Sequence, residues 1–171
     1  MRLLLAIAPE QFRDEELGTP KRAFEEAGID VDIASTIVGT CTGMLGATAE
    51  AVMTFDDVDP DAYAGIVIVG GAGSQDYLWG NGRLQALVRS FFEQGKVVAA
   101  ICLAPVVLAR AGILAGRQTT VYQSPAAIAE MKKAGANLLP IPVVADMQIV
   151  TANGPAAAAG FADTIITKLE C

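Results

Sequence analysis

Val97-Val98-Ala99-Ala100-Ile101-Cys102-Leu103-Ala104-Pro105 opens with five apolar residues, passes through a cysteine among small side chains, and ends on a proline that suits a helix's first turn. An apolar run of this length followed by a helix reads as a strand of a parallel sheet, buried on both faces. We place the strand at Lys96–Ile101 and the helix at Pro105–Ala111, with Cys102 at the junction. The uninterrupted apolar run, Val97 to Ala109, is thirteen residues long, short of the roughly 18 that cross a bilayer.

The same alternation extends in both directions. Leu3–Ala8 reads as the first strand, Pro20–Ala27 as the body of a helix stopped by Gly28, and Ile29–Ala34 as the second strand. The acids that directly follow Leu3–Ala8 occupy the place of a signal peptide's cleavage region, so this run is expected to be a buried strand. Gly, Thr and Ala recur without helical spacing from Thr40 to Thr54, which predicts a small hairpin or irregular excursion. Gly65–Val69 is a central strand ending in Gly70-Gly71-Ala72-Gly73. Leu84, Leu87, Val88, Phe91 and Phe92 then form one face of a helix, as do Phe161, Ile165 and Leu169 near the end. The expected fold is α/β, a mostly parallel sheet with helices on both faces, in a single domain spanning 1–171.

Composition narrows the function classes. Among 171 residues, 53% are hydrophobic and 18% charged, which fits a packed core. Twelve Lys and Arg against 19 Asp and Glu give a net charge of −7, so nucleic acid and anionic membrane are not expected partners. The chain has no histidine, which removes the Ser/His/Asp triad, the Cys/His dyad and imidazole-held metals. Cys41, Cys102 and Cys171 form no CxxC pair; we expect neither a metal site nor a disulfide framework, and a cytoplasmic location.

Three features can carry chemistry. In open parallel sheets ligands bind beyond the carboxyl ends of the strands, where Cys102, the Gly70-Gly71 turn and the loop after Ala8 converge. A thiol at a helix N-terminus gains from the dipole and free N–H groups, although a buried cysteine is commonly just a small hydrophobe. Gly70-Gly71 lets backbone N–H groups approach an oxyanion, or is only a tight turn. Gly71 to Asp76 lacks the third glycine of a dinucleotide fingerprint and does not follow the first strand. Of Glu10, Asp14, Glu15 and Glu16, gathered around Arg13, at least three are expected to be solvated or to neutralise a helix start. One can reach Cys102 as a general acid/base with a raised pKa. Trp79 is expected to pack in the core, and Cys41 and Cys171 to be incidental.

Phe12-Arg13-Asp14-Glu15-Glu16-Leu17 with Pro20, Val69-Gly70-Gly71, Ala99 to Pro105, Ala111 to Arg117, and Thr151-Ala152-Asn153-Gly154-Pro155 together resemble the ThiJ/PfpI family, over nearly the whole chain. The resemblance implies a flavodoxin-like three-layer sandwich of the class I glutamine amidotransferase type, with a reactive cysteine, Cys102, at a nucleophile elbow. It implies Glu16 as the carboxyl beside the sulfur and Gly71 and Leu103 as backbone oxyanion donors. Arg13, Gly70, Tyr122, Asn153, Gly154 and Pro155 are expected to line the site. It implies glyoxalase III or deglycase activity on small 2-oxoaldehydes and their adducts, a lyase or hydrolase needing no cofactor, or peptidase, oxidative-stress sensing or chaperone roles, in a homo-oligomer.

Departures from the family pattern redistribute these roles. The histidine that many members carry after the cysteine is Leu103 here, which disfavours the peptidase reading; a second histidine position is Tyr122, and a second acid position is Arg13. A cation there is expected to depress the thiol pKa and to seat an anion. The enzyme reading therefore competes with a non-catalytic redox sensor or chaperone built on an oxidisable Cys102, and with a scaffold whose site has decayed.

Overall fold

A computed structural model describes all 171 residues. In chain order the first half comprises β1 (Arg2–Ala6), β2 (Glu10–Phe12), α1 (Asp14–Glu26), β3 (Asp30–Ser35), β4 (Gly39–Gly43), β5 (Thr48–Ala51), β6 (Met53–Thr54) and β7 (Gly65–Ile68). The second comprises α2 (Gly82–Glu93), β8 (Val97–Ile101), α3 (Pro105–Arg110), β9 (Gln118–Thr119), α4 (Pro125–Lys133), β10 (Asn137–Leu138), β11 (Val143–Asp146), β12 (Ile149–Ala152) and α5 (Ala158–Leu169).

Seven strands form one sheet in the order β11-β12-β8-β7-β1-β3-β6. Only β11 is antiparallel to its neighbour; every other pairing is parallel, as expected when helical crossovers join the strands. Strand alternation divides the core into two layers. Leu4, Ala6, Ile66, Ile68, Val98 and Ala100 face Leu84, Leu87, Val88 and Phe91 of α2, with residues of α3 and α4. Leu3, Leu5, Val67, Ala99 and Ile101 face Leu17 and Phe24 of α1 and Phe161 and Ile165 of α5. This is the expected flavodoxin-like three-layer arrangement. The excursion over 40–54 contains the hairpin β4–β5, which adds to β2 in a separate three-stranded sheet. No helix is long and apolar enough to cross a membrane.

One boundary differs in a way that matters. The first helix begins at Asp14, not near Pro20, because Asp14, Glu15 and Glu16 occupy its first turn and complement the positive end of its dipole. Pro20 therefore lies inside α1, where it withholds the N–H that Glu16's carbonyl oxygen would otherwise accept. The neighbouring strands β1, β7 and β8 all end beneath this turn, followed respectively by the β2–α1 segment, the Gly70-Gly71 turn and Cys102.

Candidate active site

Cys102 occupies the left-handed region, φ +64°, a conformation that costs a side-chain-bearing residue about 1–2 kcal/mol. Two backbone bonds hold it there: its N–H donates to Ala152 O at 2.8 Å, and its carbonyl accepts from Tyr122 N at 2.9 Å. Just beyond, Trp79 Nε1 donates to Leu103 O at 2.8 Å. The turn is thus tied to β12, to the segment after β9 and to the short π-helical turn Ser74–Leu78. A strained elbow held from three directions projects its side chain consistently.

Glu16 reaches the same place from α1. Arg13 N donates to Gly70 O at 2.9 Å, fastening the helix start to the glycine turn, and Glu16 is fully buried. A Cβ on Gly70 would lie 2.6 Å from both Glu16 Oε1 and Cys102 Cβ. The carboxyl and the thiol carbon therefore face each other across a space that only hydrogen can fill. Neither Glu16 oxygen has a partner at ordinary hydrogen-bond geometry; the Cys102 thiol and the Gly70 N–H are the donors that favour its charged form. Burial outweighs them and raises the carboxyl to about 7. Burial likewise raises the Cys102 thiol, to about 12, followed by the Glu16 charge, while the Gly71 and Leu103 N–H groups oppose the rise. The two acids form one coupled pair, in which ionising either disfavours ionising the other. The expectation that Arg13 would depress the thiol pKa is overturned: its Nε donates to Glu15 at 2.9 Å, and burial together with Glu16 governs the sulfur.

Cys102, only 6% exposed, borders a cleft of about 380 Å³. With Cys102, the residues Arg13, Met44, Gly71, Ala72, Leu103, Tyr122 and Pro155 line it. Gly71 has φ +114°, and a Cβ there would meet Gln11 O at 2.6 Å; glycine alone lets the chain pass this close. Three expected lining residues do not line the cleft. Gly70 packs against Cys102 Cβ and Glu16 Oε1 and is not among the residues bordering the cleft. Asn153 is drawn toward β11 by its N–H bond to Pro142 O, and Gly154 lies against the Tyr122 ring. The remaining acids behave as solvated or capping groups. Asp14 accepts from Leu45 N and Ala47 N, Glu15 pairs with Arg13, and Glu10 accepts from Tyr77 Oη. Cys41 is buried in the core and Cys171 is exposed.

Sequence reasoning missed Met44, Ala72 and the tie made by Trp79. Ala72 N lies 3.3 Å from Met44 Sδ, which brings the β4–β5 turn over the glycine turn. Only long-range hairpin packing creates this contact, so no local signal announced it. Trp79 was legible only as the lone tryptophan following the glycine turn.

Comparison with known proteins places the chain in a family. Residues 1–168 match the DJ-1/PfpI family. An uncharacterised protein of Methanocaldococcus jannaschii is 50% identical over 99% of this chain and 82% of its own length. A protein named as a deglycase from Pyrococcus horikoshii is 35% identical over 90% of each. The crystal structure of a ThiJ/PfpI domain protein from Brachyspira murdochii superposes with a TM-score of 0.94 at 34% identity, covering 99% of this chain and 96% of that one. The chain belongs to the DJ-1/PfpI family.

Proposed function

We propose that this protein is a cofactor-independent enzyme of deglycase or glyoxalase type, acting on small 2-oxoaldehydes and their adducts through Cys102 and Glu16. The observation that carries the reading is a fully buried carboxyl, raised to about 7, facing the elbow cysteine across Gly70. A group with that pKa both takes and returns a proton near neutrality. Similarity to proteins named as deglycases supports the same reading.

The chemistry closes without a third reactant until the last step. The Cys102 sulfur adds to the aldehyde carbon, the carbonyl electron pair moves to oxygen, and that oxygen takes the thiol proton by way of Glu16, giving a hemithioacetal. Gly71 and Leu103 N–H groups stabilise the developing oxyanion. The Glu16 carboxylate then removes the proton from the former aldehyde carbon to give an enediol and returns it to the neighbouring carbon, while the proton on the first oxygen passes to the second, converting the hemithioacetal into a thioester of a 2-hydroxy acid. Water hydrolyses the thioester and frees the thiol. An amine adduct enters by exchange, sulfur replacing nitrogen at the carbinol carbon as the amine leaves with a proton.

Burial opposes a standing thiolate in the enzyme and in a redox sensor alike, so turnover is what separates the two readings. The peptidase reading lacks its histidine base, whose position in the family pattern is the aliphatic Leu103. The test is lactate formation from methylglyoxal. Activity abolished by Cys102→Ser and by Glu16→Gln supports the proposal; absence of lactate from the wild-type protein, or undiminished activity in Cys102→Ser, refutes it.

A further inference from the structure

The cleft at Cys102 contains one cation among its lining residues, Arg13. Its guanidinium is half committed: Nε donates to Glu15 Oε2 at 2.9 Å, while Nη1 and Nη2 have no protein partner. The side chain is 30% exposed, so the free edge is hydrated rather than buried. An arginine whose base is fixed by a carboxylate presents the rest of its planar fork with reduced rotational freedom, a geometry suited to a second carboxylate. The same cleft offers Met44, Tyr122 and Pro155, which give an organic ligand apolar and aromatic surface but no other charge.

From these contacts we infer that the site selects carbonyl compounds bearing a carboxylate, with Arg13 holding the carboxylate while the carbonyl carbon lies at Cys102. A carboxylate fits better than a phosphate. A phosphate's second negative charge would find no further cation in the cleft and would face Glu15 and Asp14 on the same helix turn. Arg13 is then a specificity residue for the reaction proposed above, on which the inference rests for its reacting sulfur. The covalent sequence is unchanged; the carboxylate stays outside the atoms that react. A suitable substrate is 4,5-dioxopentanoate, a 2-oxoaldehyde with its carboxylate two methylenes from the dicarbonyl.

Two measurements separate this inference from the enzymatic reading. The first is alkylation of Cys102 by iodoacetate against iodoacetamide, followed by peptide mass in a Cys171→Ser background, which removes the exposed competing thiol. Each reagent forms an S–C bond as iodide leaves, so thiol pKa and nucleophilicity cancel in the rate ratio and only the reagent's charge is compared. The iodoacetate-to-iodoacetamide ratio is expected to fall roughly tenfold in Arg13→Gln, to be largely kept in Arg13→Lys, and to rise in Glu15→Gln, which removes the opposing charge. A ratio unchanged in both Arg13→Gln and Glu15→Gln overturns the inference. The second is kcat/KM for 4,5-dioxopentanoate relative to methylglyoxal, expected to favour the acid in the wild type and to reverse in Arg13→Gln. Preference for methylglyoxal in the wild type overturns the substrate class. An Arg13-dependent alkylation ratio with neither compound turned over would uphold the anion site and refute the enzymatic proposal.

Discussion

Glu16 Oε1 and Cys102 Cβ converge on one point beside Gly70, each 2.6 Å from where a side chain on that glycine would begin. Ile101 O, a backbone atom, lies 2.5 Å from the same point and cannot rotate away. Gly70→Ala is therefore expected to push the strand end and the α1 start apart. A loss of about 1–3 kcal/mol in unfolding free energy, typical of overpacking, is expected in urea titration. Turnover should fall by a larger factor than stability alone explains, because the carboxyl no longer faces the sulfur. A Gly70→Ala protein with wild-type stability and turnover would show that this closeness is unimportant.

The buried Glu16 makes stability depend on pH in a direction opposite to that of a salt-bridged acid. Its folded-state pKa is raised from 4.5 to about 7, so between those values the folded state holds a proton that the unfolded state has released. Its contribution is complete below about 4.5 and is lost as pH rises through 7. At about 1.4 kcal/mol per pH unit the loss amounts to about 3 kcal/mol. Glu16→Gln, an uncharged near-isostere, is expected to match the wild type near pH 4 and to exceed its stability by about 2–3 kcal/mol at pH 8. Parallel urea midpoints for the two proteins across that range, with no divergence, would contradict a burial-dominated carboxyl.

The hairpin β4–β5 leaves unusual apolar surface in solvent. Val38 and Val52, which flank its open end, are 62% and 59% exposed, and Leu45 at its turn is 64% exposed. Exposed apolar clusters of this kind mark association surfaces. The protein is expected to sediment as a homo-oligomer at micromolar concentration, and Val38→Glu with Leu45→Glu to shift it toward the monomer. Met44, beside Leu45, also walls the Cys102 cleft, so dissociation should lower the affinity for substrate. A monomeric wild-type protein in sedimentation velocity would refute the assignment.

The layers were legible because central strands carry their burial in consecutive residues: Val97–Ile101 and Gly65–Ile68 are apolar on both faces and are buried throughout. The start of α1 was not. Three consecutive acids and an internal proline look like a solvated loop until the helix dipole and the packing of Leu17 and Phe24 are in place. Within the site, a strand end and a glycine turn were local signals for Cys102 and the Gly70-Gly71 turn, whereas only the family resemblance singled out Glu16 from its acidic neighbours. The contacts of Arg13, Met44 and Trp79 depend on which surfaces the finished fold brings together.

Trp79 supplies the last prediction. Its ring is buried, 3% exposed, and its Nε1 is the donor to Leu103 O at 2.8 Å. Arg110, paired with Glu130, lies over the indole at 5.7 Å and closes the outer side. The Leu103 carbonyl belongs to the peptide after the one whose N–H is assigned to the oxyanion, so the indole acts through that peptide and is a positioning residue. Trp79→Phe keeps most of the hydrophobic volume and removes the donor, leaving a carbonyl without its partner at a cost of about 1–2 kcal/mol. Looser placement of the Leu103 N–H weakens stabilisation of the transition state more than binding of the ground state. We expect kcat to drop about five- to tenfold with KM nearly unchanged, a change within the range of one weakened oxyanion donor. A purely structural role for Trp79 would lower the stability and the active fraction while leaving kcat per active site intact, so active-site titration with a Cys102-directed alkylating reagent decides between the two.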